Sequence, residues 1–456
     1  MMKSLIIEKI ADMTGGEIIS NRGSRYACSV HVDSRLVQEN GVFFALNGSV
    51  TDGHNFLKSA VENGASVLVV SEYHDDYPVC VVKVEDTFKA FQKMAKAYKE
   101  MFDIPFVAIT GSSGKTTTKD IIASVLAQSY CVHKTQGNLN SSTGAPLTVF
   151  DLDDTHEISV IEISMSSEGE ILGNADIVRP NTVVMTNIGV CHIEFLKTRE
   201  NIFKAKCEIL TYMRNGDMLV LNADDKYLST INSDVYDIMR VGIDNGDFRA
   251  YNIIQNENGS CFSVDIGGEK TDFAFKYTGL HNIRNCLSAI CIGLKYGLDT
   301  EQIKKGLLAF SPSQNRMESI NINGIRLIND TYNANPDSVK AALDSLQAEA
   351  KGRKIAVLGD MYELGDFAEE KHYECGQAAK ESGVDILFTV GDYGKDYVEG
   401  YESLGGTDYI CCKDKSEAAE NIVKCIKQGD TVLLKASRGV KLEEVFNNLI
   451  ERLSCK

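Results

Sequence analysis

Residues 107–120 read VAITGSSGKTTTKD. A short apolar run, two closely spaced glycines and a Gly-Lys-Thr-Thr sequence confine this stretch to one arrangement, a buried strand that turns through a tight loop into a helix. Strands of this kind belong to sheets covered on both faces, which commits the chain to an α/β class. The loop is a shortened phosphate loop. The usual form is G-x-x-x-x-G-K-[ST], and counting back from Gly114 puts Ile109 where the leading glycine belongs, with Gly111 the nearest candidate. Backbone N–H groups at Gly111, Ser112, Ser113 and Gly114, with the start of the following helix, face a phosphate. Lys115 would neutralise β/γ oxygens, and the hydroxyl of Thr116, followed by Thr117, would reach Mg2+. An ordinary glycine-rich turn is the competing reading.

At 456 residues the chain is too long for one core and suggests about three domains. The net charge of −17 argues against a nucleic-acid or anionic-membrane partner, so an anionic ligand must be held by local groups. Thirteen cysteines are scattered with no C-x-x-C spacing, which speaks against a disulfide framework or a zinc site and fits reduced thiols in a cytoplasmic protein. No apolar run approaches the length of a membrane span, roughly 18 residues or more. The opening MMKSLIIEKIADMTGG is not a signal peptide.

Three units follow along the chain. Residues 1–102 alternate strand and helix as a small α/β unit. Residues 103–312 carry the phosphate loop and the unalternated strands ISVIEIS, TVVMTNIG and DMLVLNAD of a parallel sheet. Glycine-punctuated alternation over 252–277 predicts antiparallel strands appended to that sheet, and FSPSQNRMESI reads as a linker. Residues 313–456 repeat strand and helix as a Rossmann-like doubly wound domain. Pro336 opens one of its helices and Gly352 follows that helix's end.

Two further residues stand out on physical grounds. Glu162 is the only charge in ISVIEIS and lies near the carboxyl end of the strand, where open α/β sheets bind ligands; a carboxylate there is costly unless a cation meets it. Mg2+ is the better explanation, a structural salt bridge the alternative. In TRENIFKAKCEILTYM, Ile202, Phe203, Lys206, Ile209 and Leu210 fall within about a third of the helical circle, while Lys204 and Glu208 point away as an i,i+4 pair. A buried lysine tends to lose its proton, and the free amine can take up CO2 as a carbamate that ligates metal; a stem that packs while its ammonium reaches water is the alternative. His192, a few residues past a strand, gains interest only from this neighbour.

TGSSGKTTT, EISMSSEGEI, TNIGVCHIEFL ahead of Lys206, GLHNIRNCLSAI, NRMESI and INDTYNANPDS together resemble the Mur ligases, ATP-dependent amide-forming enzymes of bacterial peptidoglycan synthesis, in order over nearly the whole chain. In that family the loop has the short T-G-x-x-G-K-T form. The resemblance implies two Mg2+ ions held by Thr116, Glu162, His192 and a carbamate on Lys206, with Lys115, His192, Lys206 and Arg316 in catalysis. It implies ATP contacts from Asn138, Asn282 and Asn285 near adenine, Asp330 at the ribose and Arg316 at the γ-phosphate. DSRLVQENGVFFALNGSVTDGHNF is similar to a uridine-nucleotide domain, which implicates Ser34, Arg35 and Asn47. DTYNANPDSVKAAL, VLGDMYELGDF and LLKASRGVKLEEV are similar to the branch that takes UDP-N-acetylmuramoyl-tripeptide and D-alanyl-D-alanine, implicating Tyr332, Asn333, Asn335 and Arg438, with Ala436 where glycine is common. A cytoplasmic monomer whose domains close on substrate is expected. The alternatives are a ligase adding the third residue, a folylpolyglutamate-synthetase-like ligase, and a non-catalytic nucleotide-binding subunit.

Overall fold

The computed structural model describes residues 2–48, 51–74 and 76–454; Ser49 and Val50 of the GVFFALNGSVTDGHNF run lie outside the described residues. Nearest the amino end, the strands Glu17–Ser20, Cys80–Lys83, Ala65–Val70, Gly41–Phe44 and Ser29–His31 form one sheet in that order, its first pair antiparallel and the rest parallel. The helix Thr87–Lys99 then leads into the strand Phe106–Thr110.

That strand lies inside a seven-stranded, wholly parallel sheet ordered Phe248–Arg249, Asp237–Gly242, Met218–Asn222, Thr182–Met185, Phe106–Thr110, Ile158–Glu162 and Val132–Lys134. Its side chains divide between two cores. Val107 and Ile109 pack with Ile121 and Val125 of the helix Lys115–Leu126 and with Ile283 and Leu287 of the helix Leu280–Lys295. Phe106 and Ala108 pack on the other face, with Phe91 and Met94. Burial on both faces explains why these strands read as continuous apolar runs. The chain passes from Phe106–Thr110 to strands on one side of it and then to Thr182–Met185 on the other, so the phosphate loop stands at the point where strand order reverses, the crevice in which such sheets hold ligands.

The strands Tyr251–Asn256, Gly259–Ile266 and Glu269–Phe275 are antiparallel, as their alternation predicts, but they form a sheet of their own rather than an extension of the central one. The central sheet ends at the two-residue strand Phe248–Arg249, and Phe262, Phe273 and Phe275 bury their rings in the core shared with Phe310, Ile303 and Leu307. Packing of one aromatic face replaces pairing at the edge.

The last sheet is ordered Glu318–Ile322, Ile325–Asn329, Thr431–Lys435, Lys354–Gly359, Ile386–Val390 and Tyr409–Cys412. Its first pair is antiparallel and the others are parallel, so the run from Glu318, expected in a linker, is instead an edge strand. Helices cover both faces: Pro336–Glu349 and Ala368–Glu381 pack on Ala356 and Leu358, whereas Lys415–Cys425 and Glu443–Ser454 pack on Ile355 and Val357. Pro336 occupies the first turn, capped by Asn335 with Ser338. Gly352 does not end that helix. Ala350 does, in extended conformation, and Gly352 lets the chain pass the backbone of Gly429, whose carbonyl oxygen would lie 2.3 Å from an added Cβ.

Candidate active site

A cavity of about 680 Å3 opens between the central and last units. The loop side is built as the sequence implies, from a strand ending at Thr110 and a helix starting at Lys115. Gly111 has φ +150°, and an added Cβ would lie 1.9 Å from Thr186 Oγ1. Only glycine fits there. The helix opens at Gly114 with no side chain capping it, which leaves its first-turn amides for an anion. Thr186 and Asn187, which sequence reasoning did not single out, brace the turn: Thr186 Oγ1 donates to the Ser113 carbonyl at 2.7 Å and Asn187 Oδ1 accepts from the Ser113 amide at 2.9 Å. Lys115 Nζ curls back onto the Gly111 carbonyl at 2.8 Å.

Glu162 is 2% exposed. Its carboxylate accepts from Thr116 Oγ1 at 2.8 Å and from Asn140 Nδ2 at 2.7 Å, and no basic side chain pairs with it among the described residues. A buried, hydroxyl-bonded carboxylate beside a phosphate loop is a donor set that fits a hard divalent cation. The structural salt bridge offered as an alternative for Glu162 is not formed among the described residues.

Lys206 is 1% exposed on the helix Arg199–Cys207, whereas Lys204 is exposed. Burial, with the like charge of Lys115 as a second cause, pushes the Lys206 ammonium down to about 7, and no carboxylate is among the charges acting on it. The amine is thus substantially unprotonated near neutrality. Among the described residues the expected pair between Lys204 and Glu208 is not formed. The helix stops at Cys207, and Glu208 turns to accept from the amides of Gly169 and Leu172, capping the start of the helix Glu170–Val178 instead.

His192 begins a one-turn helix with φ +63°. Its Nδ1 lies 2.6 Å from Glu363 Oε2, out of line for a well-aligned hydrogen bond. Burial alone would lower this imidazole, but Cys191 and Glu363 outweigh it and push it up to about 9.

From the last unit, Asp330, Tyr332, Asn333, Asn335 and Arg438 face the same cavity, joined by Arg316. Arg316 donates to Thr116 Oγ1 at 3.1 Å and stacks its guanidinium 3.9 Å from the centre of the Tyr332 ring. The Arg438 guanidinium lies 5.5 Å from the centre of the same ring. Both distances are within the range of cation–π attraction. Asn335 Oδ1 accepts from Ser113 Oγ at 3.0 Å, and Asp337 accepts from the Val190 amide at 3.0 Å. The last unit is therefore docked on the phosphate loop. Asp330 pairs with Lys435 at 2.5 Å. The logic that picks out Glu162 also picks out Lys435, a lone charge closing a buried strand, and the sequence reading overlooked it.

Asn138, Asn282 and Asn285 line the cavity near the loop, and Asn285 Nδ2 and Arg316 Nε are buried with no hydrogen-bond partner among the described residues. Such orphaned donors fit a bound polar ligand. Gly111 and Lys206 are not among the residues that line the cavity, and Ala436 is core packing against Gly359, away from the lining. Ser34, Arg35 and Asn47 are not brought to this cavity. They sit on the first sheet's loops, where Arg35 pairs with Asp33 and Asn47 bridges Asp52.

This combination of folds and site defines a class. Family models described as Mur ligase family catalytic domain, Mur ligase middle domain, and Mur ligase glutamate ligase domain match residues 28–102, 109–293 and 315–438. The chain belongs to the Mur ligase family. Over 98% of its length it is 35% identical to the UDP-N-acetylmuramoyl-tripeptide--D-alanyl-D-alanine ligase of Bacillus subtilis (strain 168), covering 98% of that protein. Among solved structures it is similar to MurF from Acinetobacter baumannii, at 28% identity and TM-score 0.92 over 99% of each chain. It is also similar to MurF ligase from Thermotoga maritima in complex with ADP, at 27% identity and TM-score 0.85 over 94% of this chain and 98% of that one.

Proposed function

We propose that this protein is an ATP-dependent ligase that joins D-alanyl-D-alanine to the terminal carboxylate of UDP-N-acetylmuramoyl-tripeptide in peptidoglycan precursor synthesis. The observation that carries this reading is the shared cavity in which the phosphate loop of one unit meets Arg316, Asp330, Asn333 and Arg438, in a chain similar end to end to ligases of that name. We assign residues 1–102 to the uridine-nucleotide end of the substrate, with Ser34, Arg35 and Asn47 as contacts, residues 103–312 to ATP, and residues 313–456 to the amino substrate.

In the reaction, a carboxylate oxygen attacks the γ-phosphorus of ATP and ADP leaves. The amine of D-alanyl-D-alanine then attacks the acyl carbon, loses a proton and expels inorganic phosphate. The chain's part is positioning and charge neutralisation. The amides of Gly111 to Gly114 and the ammonium of Lys115 hold the phosphates, and Arg316, stacked on Tyr332, is placed over Thr116 to meet the γ-phosphate. Asn138, Asn282 and Asn285 face the adenine, and Asp330 the ribose. Asn333, Asn335 and Arg438 receive the dipeptide. Thr116, Glu162, His192 and a carbamate on Lys206 would hold Mg2+, which supplies positive charge where carboxylate and phosphate must approach. The low basicity of Lys206 supports the carbamate, because CO2 adds to the free amine. We place the reaction in the cytoplasm, in a monomer; no described helix is long and apolar enough to cross a membrane, and the described cysteines are all unpaired.

The test is isotopic. With 18O in the terminal carboxylate of the tripeptide, ATP and D-alanyl-D-alanine, one labelled oxygen should appear in the released phosphate. Phosphate free of label would contradict the acyl-phosphate route.

A further inference from the structure

Arg316, which the proposed reaction places over the γ-phosphate, lies on neither a helix nor a strand. It belongs to the turn between the helix Thr300–Ala309 and the strand Glu318–Ile322, where the chain crosses from the central unit to the last. A group that meets a transferring phosphate must be held to within roughly 0.5 Å, and an unsupported loop does not do that. We propose that Asp120 is a positioning residue for this arginine: it grips Ser313, so that Arg316 arrives over Thr116. The proposal rests on the ligase reading and adds to it a part for residues outside the cavity.

The grip has two points. Thr116 and Asp120 are one turn apart on the helix Lys115–Leu126 and so share a face. Asp120 Oδ2 accepts from Ser313 Oγ at 2.6 Å, and Thr116 Oγ1 accepts from the Arg316 guanidinium at 3.1 Å. Ser313 and Arg316 are three residues apart and are joined in a turn, the Arg316 amide donating to the Ser313 carbonyl at 3.2 Å. Positions i and i+3 of the turn therefore dock on positions i and i+4 of the phosphate-loop helix.

Asp120 is itself fixed. It is buried, and its Oδ1 lies 2.8 Å from Lys134 Nζ and 3.4 Å from Lys119 Nζ. Lys119, also buried, donates to the Thr135 carbonyl at 2.8 Å. The two ammoniums occupy one carboxylate oxygen and leave the other for Ser313. From the opposite side the last unit holds the residue before the arginine: the Tyr332 amide donates to the Asn315 carbonyl at 3.0 Å, and Asn329 Nδ2 donates to Asn315 Oδ1 at 3.0 Å. Asn315 and Met317, on either side of Arg316, have left-handed backbone, with φ +60° and +48°. That conformation is costly for a residue such as methionine and persists only where the surroundings impose it. Arg316 Nε is buried with no partner among the described residues, so the held guanidinium keeps a donor for an anion. Neither Asp120 nor Ser313 lines the cavity, so both reach the ligand only through Arg316.

The experiment uses the full-length protein. Ser313→Ala removes the grip and leaves Asp120 with both lysines; Ser313→Thr keeps the hydroxyl and should behave as the wild type. Affinities for Mg2+ with ADP and with a non-hydrolysable ATP analogue are measured by calorimetry. Phosphate release with ATP, UDP-N-acetylmuramoyl-tripeptide and D-alanyl-D-alanine gives kcat and KM. Ser313→Ala should bind ADP as the wild type does, lose at least about threefold of the preference for the analogue over ADP, and lower kcat about tenfold with KM for the dipeptide unchanged. In an Arg316→Ala background the same substitution should change neither kcat nor the preference by more than about twofold. A loss of stability from Ser313→Ala enters both backgrounds alike and cancels from that comparison. Wild-type kcat and preference in Ser313→Ala, or equal losses in the two backgrounds, would overturn the proposal. A wild type indifferent to the γ-phosphate would overturn it as well, since Arg316 would then not be aimed there. The binding measurements involve neither peptide nor turnover: a wild type that binds the analogue but never releases phosphate would contradict the ligase reading, and the binding ratios would still decide whether Asp120 and Ser313 aim Arg316.

Discussion

Lys206 and Lys204 are two residues apart on one helix and live in different media. Lys206 is enclosed and pushed down to about 7, and Lys204 is in water. If Lys206 carries the carbamate that holds a metal, Lys206→Ala should lower kcat by about 10²–10³-fold, the loss typical of removing one charge-stabilising group. Small carboxylates added to the buffer should restore part of it. Lys204→Ala should leave activity unchanged, since exposed substitutions shift free energies by no more than about 0.5 kcal/mol. Steady-state phosphate release on the two variants checks this; equal activities would remove Lys206 from the mechanism. At this scale the sequence was informative wherever burial and charge conflict on one element. Glu162 and Lys206 are visible because a charge falls on an apolar run or stripe, and Lys435 was visible by the same rule. Asp120 and Ser313 were not, because their meaning arises only from each other, across a fold boundary.

Among the elements, the strand Val132–Lys134 carries a titratable side chain into the core. His133 is buried, its Nδ1 2.8 Å from Ser159 Oγ on the neighbouring strand and its ring 5.1 Å from that of His156. Burial first, and the charge of His156 second, push the imidazole down to about 3 from its ordinary 6.5. Above the ordinary value both the folded and the unfolded chain hold it neutral, and it adds no pH dependence to stability. Between 6.5 and about 3 the unfolded chain takes up a proton that the folded chain refuses. Stability therefore falls as pH falls, by up to about 1.4 kcal/mol per unit. Thermal melting across that window should show a shallower decline in His133→Gln than in the wild type. Parallel declines would mean that His133 does not govern this part of the acid response. Elements were otherwise legible where one periodicity holds throughout, as in the phosphate-loop strand and helix. They were misread where tertiary partners intervene: Glu208 leaves its helix to cap another, and the strands from Tyr251 to Phe275 bury phenylalanines on helices rather than extend the central sheet.

Across the whole molecule, four contacts seat the last unit on the phosphate loop: Ser113 with Asn335, Val190 with Asp337, Thr116 with Arg316, and His192 with Glu363. Each joins the phosphate-loop side of the cavity to a residue of the last unit. Phosphate transfer and amide formation can thus share one cavity. The order of the last sheet could not be read from the chain. Thr431–Lys435 inserts between Ile325–Asn329 and Lys354–Gly359. That pairing spans roughly a hundred residues, and no local pattern encodes it. Yet the insertion delivers Lys435 to Asp330 and Arg438 to the cavity, and so shapes the end of the cavity that the last unit lines. The central claim is that this end accepts a D-alanyl-D-alanine amine and the other end a tripeptide carboxylate. Phosphate release by the purified protein, given ATP, Mg2+ and UDP-N-acetylmuramoyl-tripeptide, tests it most directly. Release that begins on addition of D-alanyl-D-alanine, with the product heavier by that dipeptide less water, is the predicted result; release only with the UDP-linked dipeptide and a diamino acid would contradict it.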